Sequence, residues 1–242
     1  MYRVLKATAL ALAGLLVVSV STLAWYGFSA PPLQHLSLPP GLLDETSPAG
    51  QQRLAHATDR ADYAELARDF VAQARRGFCG VATGTIVTNA ALHPPTPVTQ
   101  TSFFTPEAAA VRSELAVTFG GMNLAQFGGL VRAHGLHVDV VHAADSNLTA
   151  FRRVADAVLS ESAVYLVVNY DRKALHQVGG GHISPVAAYD RASDSFLILD
   201  VAAQKYPFTW VPAAALWQAM SGIDKGSGLT RGFALIRAAA AP

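Results

Sequence analysis

The sequence predicts an α+β domain. Helical periodicity fills the first half of the chain, strand patterns dominate the second, and the two do not interleave as they would in a doubly wound sheet. With 242 residues, 51% of them hydrophobic, there is material for one domain with a full core plus a short N-terminal extension. The 18 Lys and Arg nearly balance the 17 Asp and Glu, so no bulk charge draws the chain to nucleic acid or acidic lipid.

Arg3 and Lys6 precede an uncharged run over residues 7–25, and no charged side chain follows until Asp44. The run is longer than a usual signal-peptide core of about 7–15 residues and close to the roughly 20 that span hydrocarbon. Ser21-Thr22-Leu23-Ala24 suits a cleavage site, whereas Trp25, Tyr26 and Phe28 suit the interfacial belt of an uncleaved anchor. Residues 1–30 are therefore expected to be a signal peptide or a membrane anchor. Either fate places the rest outside the cytoplasm, in the periplasm or on the outer face of the inner membrane.

Residues 31–50 are rich in Pro, Leu, Ser and Gly without a sustained period, so 31–53 reads as a linker or arm and 54–242 as the functional domain. Over residues 61–76, Tyr63, Leu66, Phe70 and Val71 recur at helical spacing, which predicts a helix ended by Gly77. Cys79 opens a second helical run through Leu92, stopped by His93-Pro94-Pro95. Residues 97–118 read as a long irregular segment. Residues 122–134 look helical, and 137–142 alternate like a strand. Ser146 or Asn147 caps a helix reaching about Glu161, with Phe151, Val154, Val158 and Leu159 on its apolar stripe. Strands are expected at 163–169, 182–189, 196–201 and near 233–236.

Cys79 is the only cysteine, so it has no internal disulfide partner. At the start of a helix, unpaired N–H groups and the positive end of the dipole favour a thiolate. A lone cysteine is more often a small buried apolar residue, so a nucleophile needs partners. His182 begins one predicted strand, Asp200 ends the next, and Arg191-Ala-Ser-Asp194 between them is a natural turn. Both numbers are even, which is compatible with one face at the open end of a hairpin. The carboxylate would then fix one imidazole nitrogen while the other faces Cys79, which is the nucleophile, base and orienter logic of a thiol hydrolase. Taken singly, His182 reads as a satisfied core histidine.

Gln73 could turn its amide, together with the Cys79 backbone N–H, toward an oxyanion formed on the thiolate's substrate. Gly179-Gly180-Gly181 would permit close backbone approach or simply a flexible turn. His134, His137 and His142 read as helix-end and strand histidines, and no metal ligands are assigned.

Four ordered blocks resemble the catalytic domain of phytochelatin synthases, most closely the short prokaryotic type. They are Gln73 with Phe78-Cys79-Gly80-Val-Ala, Asn169-Tyr-Asp-Arg172-Lys173, Gly180-Gly181-His182-Ile-Ser184-Pro185, and Leu197-Ile-Leu-Asp200 running on to Lys205-Tyr206-Pro207 and Trp210. The resemblance implies a papain-like cysteine peptidase fold with N-terminal helices packed on an antiparallel sheet. It implies that glycine is cleaved from glutathione through a γ-glutamylcysteinyl thioester, which passes to water or to a second glutathione. Cys79 would be the nucleophile, His182 the general base and acid, Asp200 the orienter and Gln73 the oxyanion donor, while Arg172, Lys205 and Tyr206 match positions lining the substrate region. No cofactor is needed for that chemistry, and Cd²⁺ or Zn²⁺ would enter as a metal–thiolate form of the substrate. A homodimer is left open.

The chain departs from the family at Ala203, where an arginine is usual, and at Phe208-Thr209. That departure favours hydrolysis over transfer. Two rivals remain from the residues themselves: a papain-like peptidase of double-glycine leaders, and a non-catalytic protein that binds thiol peptides or metal chelates.

Overall fold

The computed structural model describes residues 2–239, without the side chains of residues 2–5, 7–9 and 11 in its first helix. Among the described residues one sheet of seven strands forms the centre: β1 (Leu43–Asp44), β2 (Leu136–His142), β3 (Tyr165–Asp171), β4 (Gly181–Asp190), β5 (Ser195–Ile198), β6 (Thr209–Pro212) and β7 (Gly232–Ala238). The spatial order is β1-β6-β5-β4-β3-β7-β2, and every neighbouring pair is antiparallel. The helices are α1 (Tyr2–Phe28), α2 (Pro48–His56), α3 (Tyr63–Arg68), α4 (Cys79–Leu92), α5 (Pro106–Val111), α6 (Glu114–Gly120), α7 (Leu124–Arg132), α8 (Leu148–Ser160) and α9 (Ala213–Met220). The α+β class expected from the sequence is what forms.

Period-two alternation sends successive side chains of β3 to opposite cores. Tyr165 and Val167 join Ile86, Phe127 and Leu130 of α4 and α7, while Leu166, Val168 and Tyr170 join Phe151, Leu159 and Leu216 of α8 and α9. Because both faces are covered, β3 and β4 are buried along nearly their whole length. Each large apolar side chain removed from water in this way contributes about 1.5–3 kcal/mol before the entropy cost. Between Val186 and Ala188 the pairing of β4 with β5 shifts by one residue, and Ala187 and Ala188 both face the α4 side.

Helix α4 is buried on almost every side, from Gly80 to Thr88 without a break, as suits a helix apolar all round. Thr83 in its second turn donates its hydroxyl to the Ile183 carbonyl at 3.0 Å, tying the helix to β4. That bond fixes the N-terminal turn of α4 near the start of β4, a point that matters for the chemistry below.

Several elements differ from the sequence expectation. The helix expected over 61–76 ends at Arg68, because the following backbone is taken up by tertiary partners: Gln73 N–H donates to the Val201 carbonyl at 2.8 Å, and Gln100 bridges Ala72 and Ala74. The segment expected to be irregular, 97–118, holds α5 and most of α6, capped by the Thr105 and Ser113 hydroxyls. Residues 31–53, expected to be a linker, contain β1 and the start of α2, whose N-cap is Ser47. Strand β6 and helix α9 were not anticipated.

Helix α1 is continuous, with Leu10, Leu15 and Val17 exposed. Among the described residues no helix is long and apolar enough to cross a membrane. The side chain of Arg3, part of the expected positive flank, lies outside the described ones.

Asp62, just before α3, yields a stability prediction. Its Oδ1 accepts from the Ala163 N–H at 3.1 Å, while Oδ2 is buried without a hydrogen-bond partner among the described residues. Burial, with a smaller push from Glu65, raises its pKa to about 6. A carboxyl whose folded pKa lies above its unfolded value stabilises the fold when protonated. Its contribution is therefore lost as pH rises from about 4 to about 6. Asp62→Asn is expected to stabilise the protein by about 1–3 kcal/mol at pH 8 and by much less at pH 4, read from denaturant unfolding at both values. Equal effects at the two pH values would exclude Asp62 as the titrating group.

Candidate active site

The start of α4 and the start of β4 meet at one end of the sheet. Cys79 is the first residue of α4 and is half-buried. Burial pushes its thiol up, but the hydrogen bond and charge of His182 outweigh that, helped by backbone N–H groups of Ile183 and Gly80, so its pKa falls below the ordinary thiol value. The His182 Nε2 lies 3.0 Å from Asp200 Oδ1. With Nε2 engaged there, Nδ1 is the nitrogen left for Cys79. Tyr170, directly opposite His182 in the β3–β4 register, packs edge-on against the imidazole at 5.6 Å between centroids.

Asp200 is held from two sides. Arg172 Nη2 donates to both of its oxygens, at 2.6 and 2.7 Å, and the Ala202 N–H donates to Oδ1 at 2.8 Å. Burial alone would raise this carboxyl, but Arg172 and then His182 hold it well below the usual carboxylate range. Arg172 is 2% exposed, His182 4% and Asp200 1%, so the three form a charged unit almost wholly out of water. Arg172 Nη1 also donates to Gln177 at 2.9 Å, and its guanidinium lies over the Tyr206 ring.

Of the residues expected to line the substrate region, Arg172 and Lys205 border a cavity of about 110 Å³ together with Cys79, His182 and Gln73. Tyr206 sits one layer back, accepting the Val178 N–H at 2.9 Å. Lys205 is half-buried, and burial followed by Arg172 lowers its pKa. Ala203 is exposed, between Ala202 and Gln204 of the same rim.

Gln73 borders the cavity from an extended segment rather than from the helix expected for it. Its amide nitrogen donates to the carbonyls of Arg75 and Arg76 at 3.0 and 3.1 Å, which braces the turn leading into Cys79. An oxyanion role requires one of those N–H groups to swing toward the thiol.

On the other side of Cys79 lies a second cavity of about 300 Å³ that sequence reasoning missed. Arg231 Nη1 there donates to Asp224 at 3.0 Å and to Asn169 at 3.1 Å, while its buried Nε has no hydrogen-bond partner among the described residues. A Cβ at Gly181 would collide with this guanidinium, so a side chain there would displace Arg231 from its bonds to Asp224 and Asn169. The available signal was a pair of charges in the Gly- and Ser-rich loop ahead of the last strand, which is where binding residues often sit.

The histidines weighed as cation ligands are otherwise engaged: His134 stacks on Phe103, and His142 bonds the Thr230 carbonyl at 2.6 Å. Among the described residues no group of three or more His, Cys, Asp or Glu gathers as a metal site would.

Comparison with known proteins bears on this arrangement. Glutathione gamma-glutamylcysteinyltransferase 3 of Lotus japonicus is 32% identical over 203 residues, covering 81% of this chain and 42% of that protein. The glutathione gamma-glutamylcysteinyltransferase of Schizosaccharomyces pombe is 30% identical over 178 residues, covering 72% of this chain and 43% of that one. The chain thus spans less than half the length of these curated relatives. Among solved structures it is similar to xylellain, a cysteine protease from Xylella fastidiosa, with 12% identity, a TM-score of 0.40 and coverage of 88% and 97% of the two chains. A family model described as phytochelatin synthase matches residues 33–233, a span that takes in Cys79, His182, Asp200 and both cavities beside them, and the chain belongs to the phytochelatin synthase family.

Proposed function

We propose that the chain is a cysteine-dependent acyltransferase and peptidase that releases glycine from glutathione, mainly by hydrolysis. The observation that carries this is the buried Arg172–Asp200–His182 unit, which aims an oriented imidazole at a thiol whose pKa is already depressed. The Cys79 thiolate adds to the carbonyl carbon of the Cys–Gly peptide bond. As the C–N bond breaks, His182 gives a proton to the glycine nitrogen, leaving a γ-glutamylcysteinyl thioester on Cys79. Water, or the α-amine of a second glutathione, then adds to the thioester carbonyl and passes a proton to His182, and the thiolate leaves.

The cavity with Asp224 and Arg231 suits the donor's γ-glutamyl end, which carries an ammonium and a carboxylate on one carbon. One acidic and one basic partner match that zwitterion. Metal ions act in this reading as substrate, by forming thiolate complexes of glutathione. The uncharged N-terminal run supports export, with the active domain outside the cytoplasm.

Transfer needs a cationic rim that holds an anionic peptide and keeps water from the thioester, whereas hydrolysis needs only water. With Ala203 in place of a cation, γ-glutamylcysteine and glycine are the expected main products from the full chain at high glutathione. Longer (γ-Glu-Cys)n-Gly products stay minor even with Cd²⁺ and rise in Ala203→Arg. Mass spectrometry of the reaction decides: dominance of the longer peptides in the unmodified protein would make it a true synthase.

A further inference from the structure

Arg76 stands where three cavities meet. It borders the one with Asp224 and Arg231, the one with Arg172 and Lys205, and a third of about 290 Å³ that opens between the N-terminal segment and the Gln204–Lys205 rim. Its guanidinium lies over the Tyr26 ring at 4.2 Å from the centroid. Nη1 donates to the Tyr26 carbonyl at 2.6 Å and to the Ser29 hydroxyl at 3.1 Å. A guanidinium has five N–H groups in a fixed fork, and among the described residues these bonds engage only Nη1, so Nε and Nη2 retain donors for a carboxylate.

The segment that holds Arg76 is itself fastened to the rim. Gln34 and His35 donate their N–H groups to the Gln204 carbonyl at 2.8 and 3.2 Å, and Leu36 donates to the Lys205 carbonyl at 2.9 Å. Tyr26, Pro31, Pro32 and Gln34 thereby form one wall of the third cavity.

The reaction makes a specific demand at this place. The group that leaves, glycine, and the group that arrives for transfer, the γ-glutamyl end of a second glutathione, are both α-amino acids that connect to the thioester carbon through nitrogen. In each, a carboxylate lies two bonds from that nitrogen, but only the arriving one carries a longer chain from its α-carbon. The leaving side therefore needs one carboxylate holder and, next to it, room for a peptide.

We propose that Arg76 is that holder, a specificity residue for the α-carboxylate on the leaving and acceptor side, and that the strap of residues 26–36 both fixes it and walls the space for the acceptor. This rests on the glutathione reading above.

The test compares glutathione with its C-terminal glycinamide analogue in the full chain, following release of glycine or glycinamide. The wild type is expected to favour the free acid roughly tenfold or more in kcat/KM, the worth of a hydrogen bond to a charged group. Arg76→Ala should lose most of that preference, Arg76→Lys should keep part of it, and Tyr26→Ala, which leaves the charge but removes its platform, should fall between. A wild type that does not distinguish the peptides, or an Arg76→Ala variant that distinguishes them as well as the wild type does, overturns the assignment while leaving the glutathione reading in place. Failure of the wild type to release anything from either peptide overturns that reading, and the Arg76 assignment with it.

Discussion

Cys79→Ser is expected to abolish glycine release from glutathione, by on the order of 10⁴-fold or more in turnover, while unfolding stays within about 0.5 kcal/mol of the wild type. The two side chains are nearly the same size, so the first turn of α4 and its Thr83 bond to Ile183 should persist. Acidity is what differs. The surroundings of Cys79 hold a thiol below its ordinary pKa, whereas a hydroxyl starts far above that value and stays protonated beside the same imidazole. Adding His182→Ala to Cys79→Ser should cost little more, because the pair acts as one unit. In the wild type, iodoacetamide should alkylate Cys79 at pH values below the ordinary thiol range, and His182→Ala should move that reactivity upward in pH. Most activity surviving in the serine variant would remove Cys79 from the chemistry.

Arg172→Ala is expected to destabilise the fold by about 3–5 kcal/mol, a large part of the roughly 5–15 kcal/mol that holds a typical domain together. The reason is what it leaves behind. Asp200 keeps its place in the interior but loses the two short bonds from Nη2, so a buried carboxylate is left with His182 and one backbone N–H. The pH dependence gives an independent check. In the wild type the depressed Asp200 pKa contributes stability that is fully present above about pH 4 and is lost as pH falls through the folded pKa. Without Arg172 that pKa rises, so the acid-sensitive part of the stability should shrink. Denaturant unfolding of both proteins from pH 3 to pH 7 measures the two effects together. A variant that unfolds like the wild type but binds substrate more weakly would make Arg172 a substrate ligand and not a support.

The sequence made Cys79, His182 and Asp200 readable because each sits at an element boundary with a local mark: a helix start after Gly77, a strand start after three glycines, and the far end of a hairpin with a clear turn. Arg172 was found only through resemblance and with a different emphasis, since its main partner, Asp200, lies 28 residues away across the sheet end. Arg231 carries only the weak mark of a charged Gly- and Ser-rich loop, and Arg76 carries none. Asn169 lies 62 residues from Arg231, and Tyr26 and Ser29 lie 50 and 47 from Arg76, separations that leave no periodic trace; only Asp224, seven residues before Arg231, is near in sequence. The helix expected over 61–76 failed for a related reason: its apolar spacing is genuine, but long-range hydrogen bonds from Val201 and Gln100 offer the backbone after Arg68 a better use.

The one-residue slip in β4 decides which side chain His182 meets. Toward the turn, Ala188 faces Leu197 and Tyr189 faces Phe196, so even numbers stand opposite odd ones; past the slip, Val186 faces Ile198, and even stands opposite even. Carried on two residues from there, the second phase delivers Asp200 to the side of the sheet that His182 occupies, whereas the first would have delivered Val201. The shared face inferred from two even numbers is therefore true only because an extra alanine resets the count midway along the strand. A chain with the same triad residues and an unbroken ladder would fold its acid away from its base.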